Sequence, residues 1–390
     1  MRAANQAIAA RGRWAIAAIF LVNGFLIGSW APQIPVFLNR LDITEFTLGL
    51  LILLFGAGAV SAMAWAGHLI ARHGSKFVTS LFALTGSFGL LLVALAPNVP
   101  VAAITMFLFG GMIGAMDVSM NANAVTAEKM LGRAIMSSSH GFWSLGGFVG
   151  GGLGGIAIQS CGHLVHAVLV TAAAIVLVAV SLRHVVADAP TPQEHRRFIL
   201  PRSPAVYLLG LMALLCMNSE GAVLDWGALY MRQELGADIA TAGFAYAAFA
   251  GTMAAMRFLG DAVRNRFGAV ATFRISALVA AAGMLAAGIA PWSWFAIAAF
   301  AVSGLGIANM VPILFSAAGN QPGVSSGAGM SVVTTMGYSG ILAAPSLIGF
   351  VGERTGFSPV FVGIALLLVL VFMMSQLASA AEFSADSSQA

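Results

Sequence analysis

The chain has 390 residues, of which 59% are hydrophobic and only 8% are charged. Soluble domains carry about 25% charged residues, so a deficit spread over the whole length excludes a soluble globular protein and indicates a polytopic membrane protein. The net charge of +4 reflects the Lys and Arg residues that set membrane topology, and we expect no nucleic-acid partner.

Twelve apolar segments follow one another along the chain, each close to the 20 or so residues needed to cross a lipid bilayer. Turn residues and charges delimit them at 14–38, 47–70, 77–96, 101–126, 135–159, 164–185, 204–231, 240–260, 270–290, 293–317, 326–351 and 357–380. The first segment is too long for the apolar region of a signal peptide and is expected to be retained. The predicted fold class is an all-α membrane protein with twelve transmembrane helices.

Basic residues are distributed unevenly between the two ends of these helices. If the N-terminus is cytoplasmic, only Arg40, Arg232 and Arg354 of the 18 Lys and Arg residues lie on the outside. The positive-inside rule then predicts that both termini are cytoplasmic.

The segment 186–203 is rich in Pro and charge and is predicted to be a cytoplasmic linker. It separates an N-terminal six-helix bundle, 1–185, from a C-terminal one, 204–380, and the polar tail 381–390 is expected to be disordered. Sequence motifs of the first half recur in the second half at an offset of about 193 to 196 residues. Two pseudo-symmetric halves imply a substrate site at the midplane between them.

The clearest repeated motif follows the second and eighth helices, and it resembles the signature of a known family. Gly67, Arg72, Gly74 and Lys76 are similar to the signature G-x-x-x-D-R-x-G-R-K of the major facilitator superfamily, although Ala71 stands where that family has Asp. The second copy contains Gly260, Asp261, Arg266 and Gly268. The resemblance extends over essentially the full length and implies that fold, with gating roles for the residues of both copies.

The fourth, fifth and seventh helices resemble a narrower group. Their segments GAMDVSMNANAV, HGFWSLGG and EGAVLDW are similar to the fucose-permease-like proton-coupled sugar symporters, and more so to the bacterial inner-membrane proteins of the MosC type. Asp117 matches the acid that takes part in proton coupling in the symporters. The resemblance implies a multi-pass protein of the bacterial inner membrane that acts as a monomer.

The residues of the fourth helix support a polar path independently. Gly110, Gly114, Asp117 and Asn121 share one helical face, and Asp117 lies roughly 15 Å deep at 1.5 Å per residue. An ionisable residue at that depth usually faces a protein interior or a water-filled path, so Asp117 is predicted to carry a proton. The alternative is a structural acid that is hydrogen-bonded across helices. Asn121 and Asn123 are candidates for substrate binding.

The fifth helix begins with His140, Trp143 and Ser144, at the depth of Asn121 and Asp117. An imidazole changes its charge near pH 6.5, which suits a proton relay; a ring that bridges helices through its nitrogens is an equally good interpretation. Trp143 and Ser144 are predicted to contact substrate. Two rows of glycines follow, and their spacing favours close helix packing: Gly146, Gly150 and Gly154 in one row, and Gly147, Gly151 and Gly155 in the other.

The seventh and eighth helices contain three further ionisable residues. Glu220 lies near mid-membrane and is predicted to accept substrate or a second proton, whereas Asp225 is expected in interfacial water. Arg257 and Asp261 are four residues apart, which favours an intrahelical ion pair; a role in gating, together with Arg266, is the alternative.

Aromatic residues and one amide complete the predicted site. Trp30, Trp143, Trp226 and Tyr338 are candidates for stacking on a ring-shaped solute, although aromatic residues also favour membrane interfaces. Asn309 is the pseudo-symmetric counterpart of the Asp117 region and a candidate for hydrogen bonding to substrate.

The sequence contains no phosphate-binding loop, metal cluster or nucleophile–base pair, so we expect no enzymatic activity, cofactor or metal. The predicted function is proton-coupled symport of a small sugar- or polyol-like solute by alternating access. One alternative is a proton-coupled exporter of amphiphilic compounds, with which the 26 Phe and 19 Met residues are compatible. The other is a solute sensor that does not transport, against which stands the lack of a sizeable soluble domain.

Overall fold

The computed structural model describes residues 2–133, 135–188 and 201–382, without the side chains of residues 2–7, 261 and 341. Within these ranges eleven helices are long and apolar enough to span a membrane, and a bent helix pair with an angle of 55° adds a twelfth. They are α1 Ile8–Leu41, α2 Glu45–His73, α3 Ser75–Leu95, α4 Val99–Leu131, α5 Met136–Cys161, α6 His163–Leu182, α7 Pro204–Gln233, α8 Ile239–Phe267, α9 Ala269–Gly288, α10 Ser293–Gly319, α11 Ser326–Thr355 and α12 Ser358–Met373. The twelve predicted helices of the all-α fold are confirmed.

Three spans depart from regular α-helix. A 3₁₀ turn, Ala31–Gln33, which contains Pro32 and precedes Pro35, interrupts α1. Each proline lacks the N–H that a continuous helix requires. α3 is broken between Gly86 and Gly89, and α10 between Ile307 and Met310. α11 continues through Pro345. We call the end of the bundle where α1 connects to α2 the outer face, and the end where α2 connects to α3 the inner face.

The internal repeat is visible in the backbone. Residues with positive φ recur in pairs whose numbers differ by 194, namely Asp42 with Gly236, Gly74 with Gly268, and Gly162 with Gly356. The helix caps follow the same offset, because Thr44 accepts a hydrogen bond from the N–H of Thr47 and Asp238 from that of Thr241. Two copies of one backbone path therefore build the two six-helix halves.

Matching carboxylates cap a helix in each half. Asp188 accepts hydrogen bonds from the first two N–H groups of α3, at 2.9 and 3.2 Å, and Glu382 does the same for α9, at 3.0 and 2.9 Å. A carboxylate satisfies the unpaired donors and the positive end of the helix dipole. Residues 381 and 382 are therefore held against α9 and do not belong to a disordered tail as expected from the sequence. Most of the predicted linker, 189–200, and residues 383–390 lie outside the described residues.

Each glycine row of α5 serves a different contact. A Cβ at Gly146 would lie 2.1 Å from the carbonyl oxygen of Leu21 in α1, within the same half. A Cβ at Gly155 would lie 2.8 Å from the carbonyl oxygen of Ile239 in α8, in the other half. Close packing of both rows, as predicted, is confirmed, and the second row forms part of the contact between the halves.

The halves also meet through α2 and α11 near the outer face. Gly49 packs against the backbone of Pro345, and the N–H of Phe46 donates to the carboxylate of Glu353 at 3.1 Å. The rings of Phe46 and Phe350 meet edge to face, with their centroids 5.9 Å apart. These contacts close the outer face on this side of the bundle.

Candidate functional site

Polar side chains from both halves converge in the middle of the bundle. In α4, the Nδ2 of Asn121 donates to the carbonyl oxygen of Asp117 at 2.9 Å and to its carboxylate at 3.3 Å. The two residues thus form one polar unit on a helix whose preceding turns, at Gly110 and Gly114, pack directly on the backbone of α2.

Tyr338 of α11 links this unit to the other half. Its phenol lies near the Asp117 carboxylate and near Glu220 of α7, close enough to interact electrostatically with both. Tyr338 therefore stands between an acid of the N-terminal half and an acid of the C-terminal half. A tyrosine hydroxyl both donates and accepts hydrogen bonds, so this position suits solute binding as well as proton movement.

Arg257 of α8 supplies the positive charge of the site. Its guanidinium pairs with Glu220 at 3.5 Å, and the two side chains are 15% and 18% exposed, respectively. The same guanidinium donates to the hydroxyl of Ser144 and lies 5.8 Å from the ring centroid of Trp143, both in α5 of the opposite half. Within the described side chains, the partners of Arg257 thus lie on neighbouring helices; the side chain of Asp261, the partner predicted from spacing, is outside that set.

The α5 wall of the site is positioned by α1. The indole N–H of Trp143 donates to Asn23 Oδ1 at 2.9 Å, and Asn23 Nδ2 donates to the carbonyl oxygen of Ile113 in α4 at 3.4 Å. His140 lies edge to face with Phe20, with centroids 5.1 Å apart, and interacts electrostatically with Arg257. Asn23 was missed in the sequence, although an amide inside an apolar helix is itself a signal of a functional position.

Asp225 was expected in interfacial water but is buried, with 8% of its surface exposed. It lies close to the side chain of Trp30 in α1, which is 5% exposed. This contact joins α7 to α1, so Asp225 and Trp30 link the halves on the outer side of Glu220. Asp225 is therefore a buried acid of α7 that the sequence interpretation had placed in water.

Three predicted substrate residues lie away from this convergence. Asn123 is fully buried and donates to the hydroxyl of Ser75 and to the carbonyl oxygen of Val186 at 2.9 and 2.8 Å, so its amide anchors the start of the linker. Trp226 is fully buried and stacks on Phe357, with centroids 5.2 Å apart. Asn309 is 7% exposed and packs against Gly260 in α8. In this conformation these side chains make packing and anchoring contacts, and their role in substrate binding stays a prediction.

Of the predicted gating residues, Arg257 lies in the central site, the side chain of Asp261 is outside the described set, and the others lie toward the inner face. Gly74 ends α2 with a φ of 79°, a conformation that favours glycine, and packs against Asp188. Arg72 and Arg266 are exposed, and the guanidinium of Arg266 lies 5.7 Å from the ring centroid of Phe267. Gly67 is half-buried in α2. Their role in gating stays a prediction. Among the described residues no group of three or more His, Cys, Asp or Glu side chains is placed to hold a metal.

Comparisons with known proteins agree with this architecture. The family model described as Major Facilitator Superfamily matches residues 208–384. An uncharacterized MFS-type transporter of Yersinia pestis is 34% identical over 353 residues, which cover 90% of this chain and 92% of that protein. Membrane protein MosC of Rhizobium meliloti is 34% identical over 357 residues, which cover 91% and 86%.

Two solved structures extend the likeness to the fold. The nucleoside transporter NupG has a TM-score of 0.71 at 13% identity, covering 94% of this chain and 98% of that chain. A D-xylose-proton symporter has a TM-score of 0.71 at 14% identity, covering 95% and 99%. At these identities the comparison concerns the fold alone.

Proposed function

The chain belongs to the major facilitator superfamily, and from this premise we propose that it is a proton-coupled symporter of a small, polar, sugar- or polyol-like solute. The observation that carries the proposal is the meeting of Asp117, Tyr338, Glu220 and Arg257 from both halves in the middle of the membrane-spanning bundle. Ionisable groups at this depth are costly and mark substrate and proton paths.

The proton is assigned to Asp117. Glu220 already has a cationic partner in Arg257 at 3.5 Å, whereas among the described side chains the polar neighbours of Asp117 are the neutral groups Asn121 and Tyr338. A buried carboxylate without a cation is favoured in its neutral form, so loading one proton makes Asp117 compatible with a closed site. Release of that proton leaves a charge that favours hydration and opening.

The solute class follows from the groups that face one another. Asn121, Tyr338 and the Arg257–Glu220 pair offer donors and acceptors, and Trp143 offers an aromatic face fixed by its bond to Asn23. Sites of this composition orient polar ligands through a few placed hydrogen bonds. An amphiphile for export would leave these buried polar groups unpaired, at a cost of about 1–3 kcal/mol each.

Alternating access in this proposal separates the halves first at one face and then at the other. Contacts at the outer face between α2 and α11 are made in this conformation, so the described state is closed on that side. With both termini in the cytoplasm of a bacterium, as the basic residues predict, the outer face is periplasmic. The protein acts as a monomer.

The test begins with the ligand. Thermal unfolding of the purified protein is measured with pentoses, hexoses, polyols, amino sugars and cationic amphiphiles, and the compounds that stabilise it are tested for counterflow in liposomes. The proposal expects stabilisation by a sugar or polyol, and counterflow of that compound that Asp117→Asn preserves. Stabilisation by amphiphiles alone would overturn the solute class, and binding without counterflow would indicate a sensor.

A further inference from the structure

At the outer face, two helices are capped by side chains of the opposite half. The N–H of Phe46, near the start of α2, donates to Glu353 Oε2 of α11 at 3.1 Å. The N–H of Ala240, near the start of α8, donates to Gln159 Oε1 of α5 at 2.9 Å. Both N–H groups belong to the first turn of a helix, where they have no carbonyl partner within the helix. Each half therefore satisfies a donor of the other half.

The two caps occupy equivalent positions of the internal repeat. Phe46 and Ala240 are 194 residues apart, and so are Gln159 and Glu353; the positive-φ residues of the two halves differ by the same number. An amide and a carboxylate each offer an oxygen acceptor, so the two copies make the same bond with different side chains. The outer face is thus closed by equivalent bonds on both sides of the bundle.

A glycine one turn before each capping side chain lets the backbones approach closely. A Cβ at Gly155 of α5 would lie 2.8 Å from the carbonyl oxygen of Ile239, and a Cβ at Gly349 of α11 would lie 2.5 Å from that of Glu45. Residues four apart share a helical face, so each capping side chain lies on the face that carries its glycine. The backbone approach and the cap therefore form one contact on each side.

A second donor at each helix start is satisfied from within the same half. At the start of α2, Thr44 accepts a hydrogen bond from the N–H of Thr47 at 3.3 Å. At the start of α8, Asp238 accepts one from the N–H of Thr241 at 2.6 Å. These bonds do not depend on the separation of the halves, whereas the bonds to the opposite half do. Each helix start thus contains its own internal reference.

We infer that Gln159 and Glu353 are gating residues that hold the outer face closed. Both bonds connect the halves, so a rigid-body rotation that opens the outer face breaks both of them. The inference rests on the alternating access proposed above, and it assigns gating to two residues that lie outside the repeated motif of the inner face. A carboxylate also interacts favourably with the positive end of a helix dipole, which makes Glu353 the stronger of the two.

The test is a distance measurement between two spin labels on the purified full-length protein in detergent, without solute or pH gradient. Leu95, at the end of α3, and Ile289, the C-cap residue of α9, are 55% and 64% exposed and belong to opposite halves. Both are replaced by Cys for labelling, and the exposed Cys161 is replaced by Ser. Because the solute class and proton coupling are tested with solute in liposomes, a failure here concerns the gate alone.

Loss of either cap should favour the open outer face. Gln159→Ala and Glu353→Ala should each raise the ratio of long to short distances by roughly 2- to 13-fold, the range for one protein hydrogen bond. The double variant should raise the ratio by the product of the two changes. Glu353→Gln keeps an acceptor and should change the ratio less than Glu353→Ala. Gln159→Glu adds a charge at the start of α8 and should lower the ratio by roughly 2- to 5-fold.

Thr44→Ala and Asp238→Ala are the matched controls, because each removes a cap from the same helix starts within one half. They should lower the melting temperature and leave the distance distribution unchanged. Unchanged distances in Gln159→Ala, Glu353→Ala and the double variant would overturn the inference, and a shift in only one single variant would overturn the assignment of the other residue. Equal shifts in the control variants would also overturn it, because they would assign the effect to the helix starts and not to the contact between the halves.

Discussion

Replacement of Gly243 by Ala places a methyl group in the contact between the two halves. In α8, a Cβ at Gly243 would lie 2.6 Å from the carbonyl oxygen of Gly151 and 3.2 Å from the Cα of Gly155, both in α5. Ordinary contacts of a Cβ begin at about 3.4 Å, so the two backbones must part by roughly 0.2–0.8 Å. Because backbone cannot move aside as a side chain can, the strain falls on the closed contact itself.

The expected magnitude follows from the cost of overpacking. Adding one methyl group to a well-packed contact costs about 1–3 kcal/mol, and a conformation in which the outer parts of α5 and α8 have separated does not bear this cost. The population should therefore move toward that conformation by roughly 5- to 140-fold. This shift in population is expected if the two halves separate and close at this contact during transport. A bundle that does not change its conformation would show no shift.

The assay is a distance measurement between two spin labels at the outer face. Leu95 of α3 and Trp292, the N-cap residue of α10, are 55% and 59% exposed and belong to opposite halves. Both are replaced by Cys for labelling, with Cys161, which is exposed, replaced by Ser and the buried Cys216 left in place. Gly243→Ala should increase the fraction of long distances.

Gly251→Ala is the matched control on the same helix. Its Cβ would meet the side chain of Phe148 at 2.9 Å, and that ring can rotate away, so the distance distribution should remain that of the wild type. An unchanged distribution in Gly243→Ala, or an equal change in both variants, would refute the assignment of the backbone contact as the one that opens.

Three further predictions concern stability and are measured by thermal unfolding. Arg257→Gln leaves Glu220 buried without its cation and should cost about 3–5 kcal/mol, most of which the added change Glu220→Gln should restore; a double variant no better than the single one would contradict the pair. Gly146→Ala should lower stability by about 1–3 kcal/mol, whereas Gly363→Ala, whose Cβ meets nothing within 4 Å, should leave it unchanged or raise it by up to about 1 kcal/mol. Asp238→Ala should cost about 1 kcal/mol at neutral pH. The hydrogen bond that Asp238 accepts from the backbone N–H of Thr241 lowers the pKa of its carboxyl group. The stability that the cap contributes is therefore complete above the usual carboxyl pKa and is lost as the pH falls through the lowered pKa. A difference in stability between Asp238→Ala and the wild type that persists in acid would refute the cap.

The sequence predicted the helices well because hydropathy is a property of each segment alone. All twelve spans were found, and the repeat proposed from Gly67, Arg72 and Gly74 appears in the structure as backbone turns separated by 194 residues. Glycine rows in α5 were likewise correctly interpreted as packing surfaces. Which row meets which helix was beyond the sequence, because spacing defines a face and not its neighbour.

The candidate site was predicted less completely, because residue spacing does not show which helices lie next to each other. The partners of Arg257 on α7 and α5 are set by helix arrangement, so the spacing to Asp261 could not reveal them. Asn123 shares its helix with Asn121, yet it lies two residues later and so on a different face, which directs it to the linker. Burial of Asp225 depends on the contact of α7 with α1, which depth along the helix does not indicate. Intramembrane polar residues pointed to the right region, and tertiary contacts then selected among them.

Coupling through Asp117 is tested most directly by the pH inside proteoliposomes that contain a pH-sensitive dye. An inward gradient is imposed for whichever sugar or polyol stabilises the protein, with no initial pH gradient. We expect the lumen of wild-type vesicles to acidify as the solute enters, and Asp117→Asn vesicles to exchange the solute without acidification. Equal acidification in the variant, or entry into wild-type vesicles with no change in pH, would contradict proton symport through Asp117.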